Sequence, residues 1–202
     1  MQHGDYDVAV HNARVFAGGG QVPDNITTGK YEDLLKQAGL WDSCVFFGQA
    51  DAGCTNDSTN HVAKVFDLKG NADLAQTTGT KQPKYQTDGT LLYDGGDFML
   101  SDALNSGNAI KDTRVKFTVV CWASLASSTT EVAFCRWMHG DTPSTCHWLI
   151  EKTTADKLHV VIADGKVFPK NFTSTQSING SFVHLAFTFD GSAMDGAVVS
   201  AM

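Results

Sequence analysis

Three sets of side chains in this chain are of types that do chemistry, and their spacing decides what each can do. Glycoside hydrolysis needs two carboxyl groups held roughly 5 to 10 Å apart across a sugar. The chain has only three glutamates, Glu32, Glu131 and Glu151, and none forms the Glu-x-Asp-x-x-Glu pattern that would set such a pair on one strand. Its aspartates at 67, 94, 97, 164, 190 and 195 stand beside Gly, Asn or Leu, as turn residues do. The second set is Cys135, His139, Cys146 and His147, whose residue types bind zinc. Their spacing, C-x3-H-x6-C-H, fits no common zinc motif, and adjacent residues of a strand, such as Cys146 and His147, point to opposite faces. A buried thiol beside a surface histidine is the expectation there. The third is His184, inside the run FVHLAFTFDGS. No G-x-S-x-G elbow, P-loop or dinucleotide fingerprint accompanies it, and Gly18-Gly19-Gly20 does not lie between a strand and a helix. The pattern is that of a non-enzymatic protein.

Composition narrows the partners. A formal charge of −7 with 15 basic residues and no basic run argues against a phosphate-binding surface, so no nucleic acid is expected. The opening MQHGDYDVAVHNARVF has no apolar core of the signal-peptide kind, and no later run approaches the ~20 apolar residues of a membrane helix. A soluble protein without a signal peptide is expected. Five cysteines, at 44, 54, 121, 135 and 146, cannot all pair within one chain, which favours reduced, buried thiols.

The elements that must position these residues read as strands. Residues 1–29, with Gly18-Gly19-Gly20 and Pro23-Asp24, predict an extended N-terminal arm suited to docking on a neighbour. Tyr31, Leu34, Leu35 and Ala38 recur at helical spacing ahead of Gly39, which predicts one short helix over 30–38. From Ser43 onward, short runs rich in Val, Phe, Trp, Leu and Thr alternate with Gly, Asp, Asn, Ser and Pro clusters: SCVFFG, AKVFDL, TLLYDGGDFMLS, VKFTVVCWASL, EVAFCRWM, CHWLIEK, KLHVVIADG and SFVHLAFTFDGS. They predict an all-β, antiparallel sandwich over 30–202.

Four of these stretches, in order, resemble the concanavalin A-like lectin/glucanase superfamily, in particular its laminin-G-like members. Phe182-Val183-His184-Leu185-Ala186-Phe187-Thr188-Phe189-Asp190-Gly191-Ser192 is similar to the family's late strand, with Phe182 where tryptophan is usual. Phe117-Thr118-Val119-Val120-Cys121-Trp122-Ala123 is similar to its early strand. VFDLKGNADLAQTTGTKQPKY and LLYDGGDFMLS resemble its lead-in. The resemblance covers about residues 62–192 and implies a jelly-roll sandwich; against it, only AMDGAVVSAM follows the Asp190-Gly191-Ser192 turn, so the C-terminal end looks truncated. The helix-then-strand layout of YEDLLKQAGLWDSCVFFGQADAG is similar to what precedes such domains in bacteriophage virion proteins.

The resemblance implies a structural or adhesion protein of a virus particle, capsid-decorating or tail-associated, with other virion proteins or copies of itself as partners. A free carbohydrate-binding module is the alternative, and a glycan hydrolase stands third. Relatives often hold one calcium ion at the rim, which by motif position would fall to Asp94, Asp97, Asp164 and Asp190; no other cofactor is implied. For glycans, the loops offer Tyr85, Trp137 and Trp148 as aromatic platforms, with core or hairpin packing the competing use of such rings. Trp122, inside a predicted central strand, and His184, at the family's histidine position, are expected to be structural and to pack within the sandwich.

Overall fold

The computed structural model describes residues 3–22, 25–70, 72–101, 117–126, 132–138, 146–162, 170–189 and 198–201. The chain is mostly strand, with two short helices and several antiparallel sheets. It divides into two compact units, Met1–Ser106 and Gly107–Met202. The span 62–192 is therefore split between units, and its lead-in folds with the helices.

The first unit begins with helix α1, His3–Ala17, where an extended arm was expected. Its inward stripe is Val8, His11, Asn12 and Val15, all buried at helical spacing. Two of those four residues are polar, so the stripe does not register as apolar periodicity. Helix α2 is Asn25–Gln37, starting earlier than 30, and its inward stripe is Thr28, Tyr31, Glu32 and Leu35. Leu34, by contrast, is 62% exposed. Glu32 is buried and forms an ion pair with Lys36 one turn on. Gly39 closes the helix as expected, in the left-handed region at φ 67°, where a side chain is strained.

Short strands follow: β1 (Cys54–Asn56), β2 (Val62–Val65), β3 (Leu74–Ala75), β4 (Lys84–Tyr85) and β5 (Leu91–Leu92). The first three form one antiparallel sheet and the last two another. Ala50, Cys54, Val62 and Val65 make their core, with Leu74, Tyr85, Leu91 and Met99 packed against it.

The second unit contains β6 (Phe117–Ser124), β7 (Val132–Met138), β8 (Cys146–Lys152), β9 (Lys157–Ile162), β10 (Lys170–Ser177), β11 (Phe182–Phe189) and β12 (Val198–Ala201). Two antiparallel sheets result, ordered β10-β9-β8-β7 and β12-β11-β6. One apolar cluster draws on both, with Ile150, Leu158 and Val160 from the first and Leu185 and Phe187 from the second. Phe117, Val119, Cys121 and Ala123 of β6 pack against it. The ring of Phe187 meets that of Phe117 edge-on at 5.8 Å. Period-two alternation thus sends every second residue of β6 and β11 inward.

Lys152 shares the inward side of β8 with Ile150 and is fully buried, yet its ammonium is held by Asp156 Oδ1 at 2.6 Å in the β8–β9 turn. A buried charge is tolerable only when paired in this way.

Phe187→Ala should destabilise the second unit by about 3–5 kcal/mol, the usual cost of deleting a buried aromatic ring. Urea unfolding followed by tryptophan fluorescence reads this in a Trp41→Phe background, because the other three tryptophans, Trp122, Trp137 and Trp148, all belong to that unit.

Candidate functional site

The densest polar cluster lies in the first unit and is built around two aspartates of the lead-in motif. Asp67 is fully buried; its Oδ1 accepts the backbone N–H of Phe47 at 2.9 Å and of Lys69 at 3.2 Å, and its Oδ2 accepts that of Ala72 at 3.2 Å. Asp73 Oδ1 accepts the Asp67 N–H at 2.9 Å and the Arg14 guanidinium at 2.6 Å, while Lys64 Nζ reaches Oδ2 at 3.1 Å. Arg14 also donates to the Asp67 carbonyl. These carboxylates spend their lone pairs on the chain itself. The motif VFDLKGNADL is therefore a loop wound around a carboxylate and tied to α1.

His11 sits beside this knot. Its Nε2 lies 2.6 Å from the Ala52 carbonyl and must donate, while Arg14 approaches Nδ1 at 3.4 Å and needs an acceptor there. Both contacts specify the neutral Nε2–H tautomer. Burial correspondingly lowers the His11 pKa. A second polar chain runs from Gln49 Nε2 to Tyr31 Oη (2.6 Å) and from Tyr31 to Asp51 Oδ2 (3.0 Å). Burial and the Asp51 hydrogen bond push Tyr31 up to about 12, so it remains a phenol.

The second unit carries a different kind of site. β6 and β11 pair antiparallel over their whole length, with His184 opposite Trp122, Ala186 opposite Val120 and Thr188 opposite Thr118. The residues that point away from the core are Thr118, Val120, Trp122 and Ser124 on one strand and Phe182, His184, Ala186 and Thr188 on the other. Trp122 is 55% exposed, Val120 66% and Phe182 45%. The Trp122 and Phe182 rings lie nearly parallel (12°) with centroids 5.9 Å apart, and the His184 ring meets Trp122 edge-on at 3.9 Å. Thr118 and Thr188 hydroxyls are 3.2 Å apart beyond them. Among these outward residues of β6 and β11 there is no Asp, Glu, Lys or Arg. The arrangement can stack on a flat apolar surface and offer hydroxyls at its margin.

Trp122 and His184 are thus outward residues, where packing inside the sandwich was expected. Alternation shows that residues share a face but does not by itself say which face is inward. The signal lay in the partner strand: Val183, Leu185 and Phe187 are uniformly apolar, whereas His184 and Thr188 are not, so whatever stands opposite His184 faces outward.

The other sequence candidates disperse. Tyr85 is half-buried against the core of the first unit, whereas Trp137 and Trp148 belong to the second, directly opposite each other in the β7–β8 ladder. Asp94 and Asp97 lie in the first unit and hydrogen-bond within their own turn, through Gly96 N to Asp94 Oδ1 (2.8 Å) and Asp94 N to Asp97 Oδ2 (3.0 Å). Asp164 and Asp190, like His139 and Glu131, lie outside the described residues. The first unit does not contain Asp164 or Asp190, so the four aspartates are not one set within either unit. Among the described residues, no group of three or more His, Cys, Asp or Glu side chains is placed to hold a metal. In the β7–β8 ladder Cys135 stands opposite Ile150 and Cys146 opposite Met138, so the two residues occupy different rungs. Of the glutamates, Glu32 pairs with Lys36 in the first unit and Glu151 with His159 Nδ1 (2.7 Å) in the second. Among the described residues no helix is long and apolar enough to cross a membrane. No family model, curated protein or solved structure matches this chain.

The knot in the first unit should make that unit acid-sensitive in two steps. His11 is depressed below its ordinary 6.5 by burial, so the folded form binds its proton less readily than the unfolded chain. Stability from neutral His11 is complete above that value and falls as pH drops below it. Burial pulls Asp73 upward, but the Asp67 N–H, Arg14 and Lys64 outweigh it and hold the pKa below the usual 3.8. Its contribution is complete above that value and is lost as pH falls through the folded pKa. Melting temperatures measured down a pH series should fall in both windows, and His11→Gln should abolish the upper step.

Proposed function

We propose that this chain is a non-enzymatic structural or adhesion protein of a virus particle, of the capsid-decorating or tail-associated kind, whose second unit is a concanavalin A-like sandwich. The observation that carries the binding role is the Trp122–Phe182–His184 face. A surface that spends this much apolar area on solvent calls for a partner. The virion setting rests on the similarity of residues 31–53 to what precedes laminin-G-like domains in bacteriophage virion proteins, residues 62–192 carrying the resemblance to the laminin-G-like domain itself. For the sandwich, the support is the sharing of one apolar cluster by the two sheets of the second unit.

The same face favours a second reading, a free carbohydrate-binding module. Parallel aromatic rings suit the C–H faces of a sugar, and the flanking Thr118, Ser124 and Thr188 hydroxyls suit its rim. Such a surface favours neutral glycans, because the described outward residues of the two strands include no Lys, Arg, Asp or Glu. On this reading Trp122 and Phe182 are tested alongside Tyr85, Trp137 and Trp148.

On a glycan array, the chain should bind neutral glycans, and Trp122→Ala should weaken that signal roughly tenfold, the equivalent of about 1.4 kcal/mol of lost ring contact. A silent array, or a signal indifferent to Trp122→Ala, removes the glycan reading. Antiserum raised against the recombinant chain should label intact virions if the particle reading holds, and leave them unlabelled if the protein is a free module.

A further inference from the structure

The second unit has four sheet edges among the described residues, and three are blunted. β10 carries Lys170 and a register irregularity against β9 between Thr173 and Ser177. β7 carries Arg136 and two irregularities against β8. β12 is only four residues long. The fourth edge, β6, is eight residues, FTVVCWAS, with no charge and no proline, and it pairs with β11 without a single register shift. Long, flat, uncharged edges are the ones that recruit another strand. No other described strand pairs with β6.

We propose that β6 pairs antiparallel with β6 of a second copy of this chain, about a two-fold axis at Cys121. The outward residues choose this occupant, because their order Thr118, Val120, Trp122, Ser124 is self-complementary on reversal. With Cys121 opposite Cys121, each Val120 stands opposite Trp122 of the second copy, a favourable β-branched–aromatic cross-strand pair made twice. Each Thr118 stands opposite Ser124, hydroxyl to hydroxyl. On the inward side, Val119 meets Ala123, so that face keeps its apolar character across the join. The contact is isologous and closes as a dimer, leaving no further β6 edge to propagate. It also joins two Trp122–Phe182 surfaces into one continuous sheet face, whatever ligand that face takes. The net charge of −7 opposes association at low ionic strength, so the dimer strengthens as salt is added.

Sedimentation velocity on the full chain tests this. The wild type should form a concentration-dependent dimer, and Val120→Lys should weaken it roughly tenfold or more by replacing both outward pairs, with circular dichroism unchanged. Independently, a mixture of Thr118→Cys and Ser124→Cys proteins should cross-link under mild oxidation through positions 118 and 124, as read by peptide mapping. Thr118→Cys alone should not cross-link to itself, because its two copies lie at opposite ends of the joint ladder. A wild type that stays monomeric at every concentration and salt, a dimer unaffected by Val120→Lys, or a mapped 118–118 cross-link in Thr118→Cys alone as abundant as the 118–124 link of the mixture overturns the proposal. If Val120→Lys does not fold, the cross-linking pair decides by itself.

Discussion

The ladder between β6 and β11 is the constraint on which the second unit depends. Eight consecutive residue pairs, from Phe117 with Phe189 to Ser124 with Phe182, lock two strands in one register. That register assigns Leu185 and Phe187 to the core and Trp122 and His184 to the surface. Side chains alternate with a period of two, so a slip of one residue in either strand would exchange the sets. The core cluster, the aromatic face and the pattern of outward residues along β6 are three consequences of this single alignment.

The first unit is held by another principle. Its strands are two to four residues long, too short to stand on backbone pairing alone. Asp67 and Asp73 supply what the ladders lack, by collecting backbone N–H groups from several segments and anchoring α1 through Arg14. Here a loop motif acts as the framework, and the strands are dressed onto it.

That contrast explains how much could be read from sequence. In the second unit β6, β7, β8, β9 and β11 are visible as alternating runs, because one face of each is apolar. The strand β10, KNFTSTQS, is not, since Phe172 is nearly alone among hydroxyl and amide residues and the strand is recruited by pairing with β9. In the first unit the aspartates look like ordinary turn residues, and their partners are distant in sequence: Arg14 lies far from Asp73, and Phe47 from Asp67. Helix α1 was hidden for the same reason, because His11 and Asn12 are buried by specific contacts that hydrophobicity does not measure. The aromatic face was half legible. The grouping of Trp122 with its outward neighbours follows from alternation, but a tryptophan in a long strand invites assignment to the core until its opposite number is known to be His184.

The Gly18-Gly19-Gly20 run, which composition alone presents as slack, turns out to be a close fit. A β-carbon on Gly18 would fall 2.6 Å from the Phe66 ring, and one on Gly20 would fall 2.7 Å from that ring and 2.8 Å from Val15. Phe66 and Val15 are both buried and have nowhere to retreat. Gly19 stands between them in open space with φ 74°, a conformation that asparagine also adopts. Over evolutionary drift the three positions should therefore diverge, the middle one exchanging freely with asparagine while its neighbours stay fixed. A stretch that looks like low complexity would then be among the slowest-changing parts of the chain.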